Sequence, residues 1–200
     1  MRKYEFTDET KQYFGLTLHR IRAVIDFGNV KAGEFGGWIE KEENLSHEGN
    51  AWVWDNAEVY DNAWVGENAW VIGHATVSGN AYVAGNANVG DYSYVSGNAN
   101  VSGNANVFGC ATVRGDANVF STSHVLVIGA IGSRNDFTTF FRDKDGEITV
   151  KCGCFLGKID KFLEKVAETH GNSKHALVYR SAVELAKLQI GLTDEEKEWE

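Results

Sequence analysis

Valine recurs at every sixth position from Val53 to Val125 without a gap or an insertion, which makes thirteen valines in a row. A small residue stands two positions before each valine, alanine in eleven cases and serine at Ser93 and Ser123. A turn dipeptide such as Gly79-Asn80 separates most valines from the next small residue. A short, fixed period of this kind is the signature of a β-helix, a coil of short strands stacked on themselves.

The local geometry of the repeat predicts a narrow, dry core. In Ala51-Trp52-Val53 the alanine and the valine are two residues apart, so they point to one side of a strand and the tryptophan points to the other. Valine suits a pleated surface, whereas Gly, Asn and Asp suit the sharp corners between strands. Three six-residue sides would close one triangular coil, so the thirteen repeats make a little over four coils.

The repeat resembles a known architecture over residues 50–128. The spacing from Val53 to Ala57, and likewise from Val59 to Ala63, is similar to that of hexapeptide-repeat proteins, in which an aliphatic residue is followed four positions later by a small one. This resemblance implies a left-handed parallel β-helix of four to five coils. It also implies a homo-oligomer, with a trimer favoured.

The two ends of the chain are not periodic. We divide the chain into an N-terminal β cap (1–49), the β-helix (50–131) and a C-terminal β-hairpin plus two helices (132–200). The fold class is therefore mainly β, with a small ββαα module at the end. The segments predicted as regular structure are the strands Lys3–Thr7, Leu16–Val24, Asp136–Arg142 and Glu147–Cys154, and the helices Ile159–His170 and Ser173 to about Ile190.

Both ends also carry resemblances. Gly36-Gly37-Trp38-Ile39, followed by repeats of the form Gly-Asn-Ala-x-Val, resembles the start of a family of bacterial and bacteriophage hexapeptide-repeat proteins, some of which carry an acetyltransferase label. The segment from Ile131 to Gly171 resembles a module that recurs in phage and prophage proteins. These resemblances imply a phage or prophage origin.

Charge and cysteine content exclude several classes of function. Lys and Arg total 19 against 28 Asp and Glu, a net charge of −9, which argues against general nucleic-acid binding. The acids of the repeat are too scattered to imitate a phosphate ladder convincingly. They are Asp55, Glu58, Asp61, Glu67, Asp91 and Asp116.

Three cysteines form no even disulfide framework, and no stretch reaches the ~20 apolar residues that span a bilayer. We expect a soluble cytoplasmic protein without a membrane partner, in the host cytoplasm if the chain is phage-encoded.

A polar cluster follows the end of the repeat and favours binding of a small anion. Arginine offers a fork of donors to phosphate, and hydroxyl groups and backbone amides can complete an anion site. The predicted ligand residues are Ser133, Arg134, Asn135, Thr138, Phe140 and Arg142. Phe140 or Trp70 would stack on a base. Together with the resemblance to phage proteins, this favours a non-catalytic binding protein that sequesters a nucleotide-like ligand used in host defence. The alternative is an ordinary polar connection.

Acyl transfer is the second functional hypothesis, because hexapeptide-repeat acyltransferases use a histidine as general base. The coil offers His74 and His124 for that role. The register is unbroken from residue 50 to 128, however, which leaves no room for an active site built from an inserted loop. We therefore expect no catalytic residue and no cofactor.

Two metal-binding patterns have simpler explanations. Cys152-x-Cys154 with His170 and His175 lacks the two-to-four-residue spacing of zinc ligands, so reduced packing cysteines are favoured. Asp143 to Glu147 is better explained as a hairpin turn than as a calcium loop. No metal site is predicted.

One outer side of the predicted prism is apolar. Such a patch indicates either a partner or a covering segment of the same chain. The residues are Trp52, Trp54, Trp70, Ile72, Phe108 and Leu126. A structural or protein-binding scaffold that uses this side is the third hypothesis.

Overall fold

The computed structural model describes residues 1–191 and has the parallel β-helix that the repeat predicts. Residues eighteen positions apart pair in parallel: Trp52 with Trp70, Trp70 with Asn88, and Asn88 with Asn106. Three hexapeptides therefore close one turn, and the solenoid has about five turns. Its two-residue strands are β4 (Trp52–Val53), β5 (Glu58–Val59), β6 (Trp64–Val65), β7 (Trp70–Val71), β8 (Thr76–Val77), β9 (Tyr82–Val83), β10 (Asn88–Val89), β11 (Tyr94–Val95), β12 (Asn100–Val101), β13 (Asn106–Val107), β14 (Thr112–Val113) and β15 (Asn118–Val119).

The interior of the coil is made of the valines and the small residues. Every valine from Val53 to Val119 is fully buried, and the alanines between them are at most 2% exposed. The strands form three parallel stacks, which we call the first sheet (β5, β8, β11, β14), the second sheet (β4, β7, β10, β13) and the third sheet (β6, β9, β12, β15). Outward side chains on each sheet thus stack in columns.

Most corner acids of the repeat have a structural role. Asp55, Asp61, Glu67 and Asp91 adopt positive φ angles, as the corner glycines do. Each carboxylate accepts a hydrogen bond from the amide of the glycine one turn later, for example Glu67 Oε2 from the Gly85 amide at 2.7 Å. These acids therefore have a structural role at the corners of the coil.

The N-terminal cap continues the first sheet. A hairpin of β1 (Tyr4–Tyr13) and β2 (Leu16–Ala23) is joined by β3 (Phe35–Ile39), which pairs in parallel with β5. Residue 37, just before Trp38, has room only for glycine, because a Cβ on Gly37 would lie 2.6 Å from the carbonyl oxygen of Ala57. The cap therefore seats directly on the first coil.

The cap covers Trp52, which is fully buried. The ring of Phe27 lies 5.4 Å from the Trp52 ring, and the ring of Tyr4 lies 6.2 Å from it. Nearby, the buried Lys3 ammonium donates to the Ala51 carbonyl oxygen at 2.8 Å. Of the two explanations for an apolar side, a covering segment is the correct one for Trp52.

The coil ends one repeat before the valine pattern does. A 3-10 helix spans Thr122–His124, and the thirteenth valine, Val125, begins β16 (Val125–Ile131). Strand β16 pairs antiparallel with β17 (Asp136–Arg142), so it belongs to a different sheet from the coil. The predicted β-helix segment, residues 50–131, therefore includes a strand that lies outside the solenoid.

The C-terminal module is an antiparallel sheet with two helices. The order is β16, β17, β18 (Ile148–Cys152) and β19 (Phe155–Lys158), so the sheet has four strands where the sequence predicts two. Cys152 pairs with Phe155, which places Gly153 and Cys154 in a tight turn and not in a strand. The helices are α1 (Ile159–His170), as predicted, and α2 (Lys174–Gly191).

Strand β17 joins the module to the coil. Phe141 belongs to the core of the coil, whereas its neighbour Phe140 belongs to the core under the helices. The predicted module runs to residue 200, and its last positions lie outside the described residues. Neither helix within residues 1–191 has the length and hydropathy needed to cross a membrane.

Candidate functional site

A ladder of asparagines runs along one corner of the coil. The side-chain Nδ2 of each asparagine donates to Oδ1 of the next: Asn50 to Asn68 at 3.0 Å, Asn68 to Asn86 at 3.2 Å, and Asn86 to Asn104 at 3.1 Å. A primary amide offers two N–H donors and an oxygen with two lone pairs. The ladder uses one donor and one lone pair at each inner rung, so a second donor and a second lone pair remain for another partner.

Beside this ladder lies a groove of about 340 Å³, which we call the asparagine–tryptophan groove. Trp70 and Asn88 of the second sheet form one wall, and a turn of the N-terminal cap closes one end. The lining residues are Gly28, Asn29, Asn50, Asn68, Trp70, Asn86 and Asn88. None of them carries a charge. The groove therefore combines neutral amides with one aromatic surface.

The wall formed by Trp70 and Asn88 and the cap turn that closes the groove are both held in place by neighbouring residues. The edge of Trp70 packs against Trp54, with 6.1 Å between the ring centroids. Asn88 Nδ2 donates to Asn106 Oδ1 at 3.0 Å. The cap turn is closed by reciprocal backbone hydrogen bonds between Phe27 and Val30, of 2.8 and 3.1 Å. The groove is thus formed before any ligand binds.

The structure does not assemble the predicted anion site. Thr138 and Phe140 are fully buried; the hydroxyl of Thr138 donates to the Cys152 sulfur at 3.3 Å, and Phe140 packs against Phe162. Arg134 lies in the turn before β17 and Arg142 ends that strand, whose six residue steps span roughly 20 Å. The six residues therefore cannot hold one small ligand together.

The remaining members of that cluster form an exposed turn. Asn135 adopts a positive φ of 51°, and its amide donates to the Gly132 carbonyl oxygen at 3.4 Å. The Ser133 hydroxyl lies 3.4 Å from Nε2 of His170 at the end of α1. Arg142 instead lies over the ring of Phe120. The alternative explanation, a polar connection, fits this turn.

The two candidate bases occupy different environments. His124 is only 2% exposed, and its Nδ1 accepts from the Phe120 amide at 3.4 Å. This position follows from the 3-10 helix that replaces the last corner of the coil. His74 is exposed at a corner, and its ring stacks on Tyr92 with 5.1 Å between centroids. Neither histidine lines the asparagine–tryptophan groove.

The six residues of the predicted apolar side do not share one environment: they lie under the cap, in the C-terminal module or on the outside of the coil. Trp52 lies under the cap, and Leu126 packs into the core of the C-terminal module. Trp54 is partly buried against the core of the coil. Ile72 is also partly buried, and Phe108 is 41% exposed. A continuous interface of all six predicted residues is therefore not present on this chain.

The cysteines are free thiols, with Cys154 exposed in its turn. Within residues 1–191, no group of three or more His, Cys, Asp or Glu residues is arranged to hold a metal ion. Asp143 accepts hydrogen bonds from the backbone amides of Asp145 and Glu147, which is the arrangement of a hairpin turn.

The fold is that of a parallel β-helix built from six-residue repeats. The chain is 36% identical, over 67 residues, to the uncharacterized acetyltransferase YdcK of Escherichia coli (strain K12). The match covers 30% of this chain and 21% of the relative, so the chain spans about a fifth of the length of the curated relative it matches. No protein-family model matches the chain.

Of the residues that line the groove, the sequence predicts only Trp70 as a ligand contact. A signal for the others was present, because asparagine recurs at Asn50, Asn68 and Asn86 with the eighteen-residue period of the coil. Gly28 and Asn29 could not be found in the same way, because they reach the groove through the packing of the cap.

Proposed function

We propose that this chain is a non-catalytic binding protein and that the asparagine–tryptophan groove holds its ligand. The observation that carries the proposal is the groove itself, a concave surface lined by one aromatic ring and by amides with unused hydrogen-bonding capacity. Concave surfaces that combine an aromatic wall with convergent hydrogen-bonding groups are typical of ligand sites. A protein that holds a ligand without converting it acts by sequestration, as the resemblance to phage proteins implies.

Acetyl transfer is the second candidate function, because the relative from Escherichia coli is named an acetyltransferase. A general base must lie within hydrogen-bond reach of the group that it deprotonates. In the coil only His74 has the exposure for that role, since His124 is buried. The unbroken register also leaves the described coil without an inserted loop beside His74.

A thermal-shift panel distinguishes the two functions. The purified chain would be mixed with neutral saccharides, mononucleotides, cyclic dinucleotides and acetyl-CoA. We expect one class of compound to stabilise the wild type, by about 2.7 kcal/mol at a concentration of 100 Kd, and to be recovered unchanged. Trp70→Ala should abolish that stabilisation, while the matched variant Trp64→Ala, on the third sheet, should retain it.

Release of CoA from acetyl-CoA would contradict the proposal if His74→Ala abolished it. Such a result would establish the acetyltransferase function instead. Stabilisation that survives Trp70→Ala would place the ligand elsewhere on the molecule.

A further inference from the structure

We infer that the ligand of the asparagine–tryptophan groove is a neutral saccharide; this inference rests on the proposed function. The first argument is charge. The lining carries no Lys, Arg or His, and the whole chain has a net charge of −9. An anionic ligand would find no cation in the groove and would be repelled by the field of the protein. A neutral ligand meets neither obstacle.

The second argument is hydrogen-bond complementarity. The inner rungs Asn68 and Asn86 each donate one amide N–H and accept one, which leaves a donor and an acceptor side by side. A hydroxyl group is itself both a donor and an acceptor, so adjacent hydroxyls of a sugar match such a rung. A phosphate or carboxylate accepts only, and it would leave the free amide oxygens facing another oxygen.

The third argument is the aromatic wall. An indole presents a large, flat apolar surface with a negative face. The C–H groups on one face of a pyranose are apolar and carry a slight positive charge, so they pack on such a surface while the hydroxyls at the ring edge remain free. Trp70 follows the ladder residue Asn68 by two positions and lines the same groove, so one sugar ring can contact both.

The geometry further favours a short oligosaccharide over a single sugar. Rungs of a β-sheet repeat at about 4.8 Å, so Asn50, Asn68 and Asn86 offer equivalent amides over roughly 10 Å along the axis of the coil. The turn of Gly28 and Asn29 closes one end of this track. Affinity should therefore rise from monosaccharide to short oligosaccharide and then remain constant as the chain lengthens.

The test is a printed glycan array that includes neutral and acidic members, probed with the full chain. We expect neutral glycans to bind, with affinities then measured by isothermal titration calorimetry. Trp70→Ala should weaken binding about tenfold, whereas Trp64→Ala should change it less than about twofold. Trp70→Phe preserves an aromatic wall and should retain most of the affinity, which separates loss of stacking from loss of folding. Binding should be the same at low and high salt.

The two experiments together separate failure of the saccharide inference from failure of the proposed binding function. If nucleotides stabilise the chain through Trp70 and no neutral glycan binds, the saccharide inference is overturned while the binding function stands. Preference for acidic glycans, or binding that weakens as salt is added, would also overturn it. If no compound in either experiment depends on Trp70, both the inference and the proposed function fail.

Discussion

At the scale of single residues, the polar groups of this chain are engaged in fixing corners and junctions. Asp143 is the clearest case at the junction between the coil and the C-terminal module, where it is 5% exposed. Burial alone would raise the pKa of Asp143. Hydrogen bonds from Lys158, from Thr149 and from the two turn amides outweigh that effect and hold the pKa below its ordinary value.

Asp143→Asn should therefore lower the free energy of unfolding by roughly 1–3 kcal/mol at neutral pH, because it removes the buried charge beside the Lys158 ammonium and replaces one accepting oxygen with an NH2 group that can only donate. A depressed folded-state pKa stabilises the fold at pH values above the unfolded pKa of about 3.9. That contribution is lost as the pH falls through the folded-state value. Below about pH 4 the wild type should thus lose stability more steeply than Asp143→Asn in urea denaturation.

The matched control is Asp145→Asn, since Asp145 is exposed in the same turn and lies 3.6 Å from the Lys158 ammonium. Its effect at neutral pH should be small. If the two variants lost the same free energy of unfolding, the buried carboxylate would contribute no more to stability than the exposed one.

At the scale of elements, the corners decide where the coil continues. Each inner corner begins with a glycine or an acid at positive φ, and the sequence predicts these turns correctly from Gly-Asn and Asp-Asn. At the corresponding position after Val119 stands Ser121, which is extended with a φ of −141°. The chain leaves the coil there although a serine and a valine keep the period. The valine pattern alone therefore predicts one repeat too many.

Corner glycines differ in what a side chain would meet, which gives a second prediction. Gly85 and Gly109 both have positive φ, and both amides donate to an acid one turn earlier. A Cβ on Gly85 would lie 2.7 Å from the Gly103 nitrogen, whereas a Cβ on Gly109 would meet nothing within 4 Å. Gly109→Ala should cost about 1–2 kcal/mol for the backbone angle alone, and Gly85→Ala clearly more.

Chemical denaturation of the two variants measures this difference directly. Similar losses for both would mean that the stacked corners relax to admit a methyl group. A loss at Gly109 clearly above about 1–2 kcal/mol would instead contradict the view that the backbone angle is its only constraint.

Helix α1 shows which elements follow from local sequence. Ile159, Phe162 and Val166 recur at helical spacing, and Gly171 ends the helix with a positive φ, so both bounds are predictable. The groove is different in kind. Its ladder requires the eighteen-residue register, and its end wall requires the tertiary position of the cap turn, neither of which is a local property.

At the scale of the whole molecule, the third sheet presents a partly exposed aromatic surface. Trp64 and Tyr82 stack with 4.8 Å between centroids, and Tyr82 and Phe120 are 41% and 44% exposed. An exposed apolar patch of this kind is typical of an interface. We expect a homo-oligomer, with a trimer favoured, that packs through this sheet and leaves the groove on the second sheet open.

Tyr82→Glu should shift the wild-type oligomer toward the monomer, because it places a charge in the contact. The matched control is Tyr92→Glu, at a corner where the side chain is 69% exposed, and it should leave the mass unchanged. Light scattering coupled to gel filtration measures both. A monomeric wild type would contradict the expectation.

The parallel pairing of each residue with the one eighteen positions later makes the turns of the coil interchangeable units. A deletion or duplication of one whole unit preserves every inward side chain and every corner, and it moves the cap and the C-terminal module by one strand spacing, about 4.8 Å. The number of turns in the coil therefore sets the distance between the N-terminal cap and the C-terminal module. Its length can change during evolution, or by design, in steps that leave both ends intact.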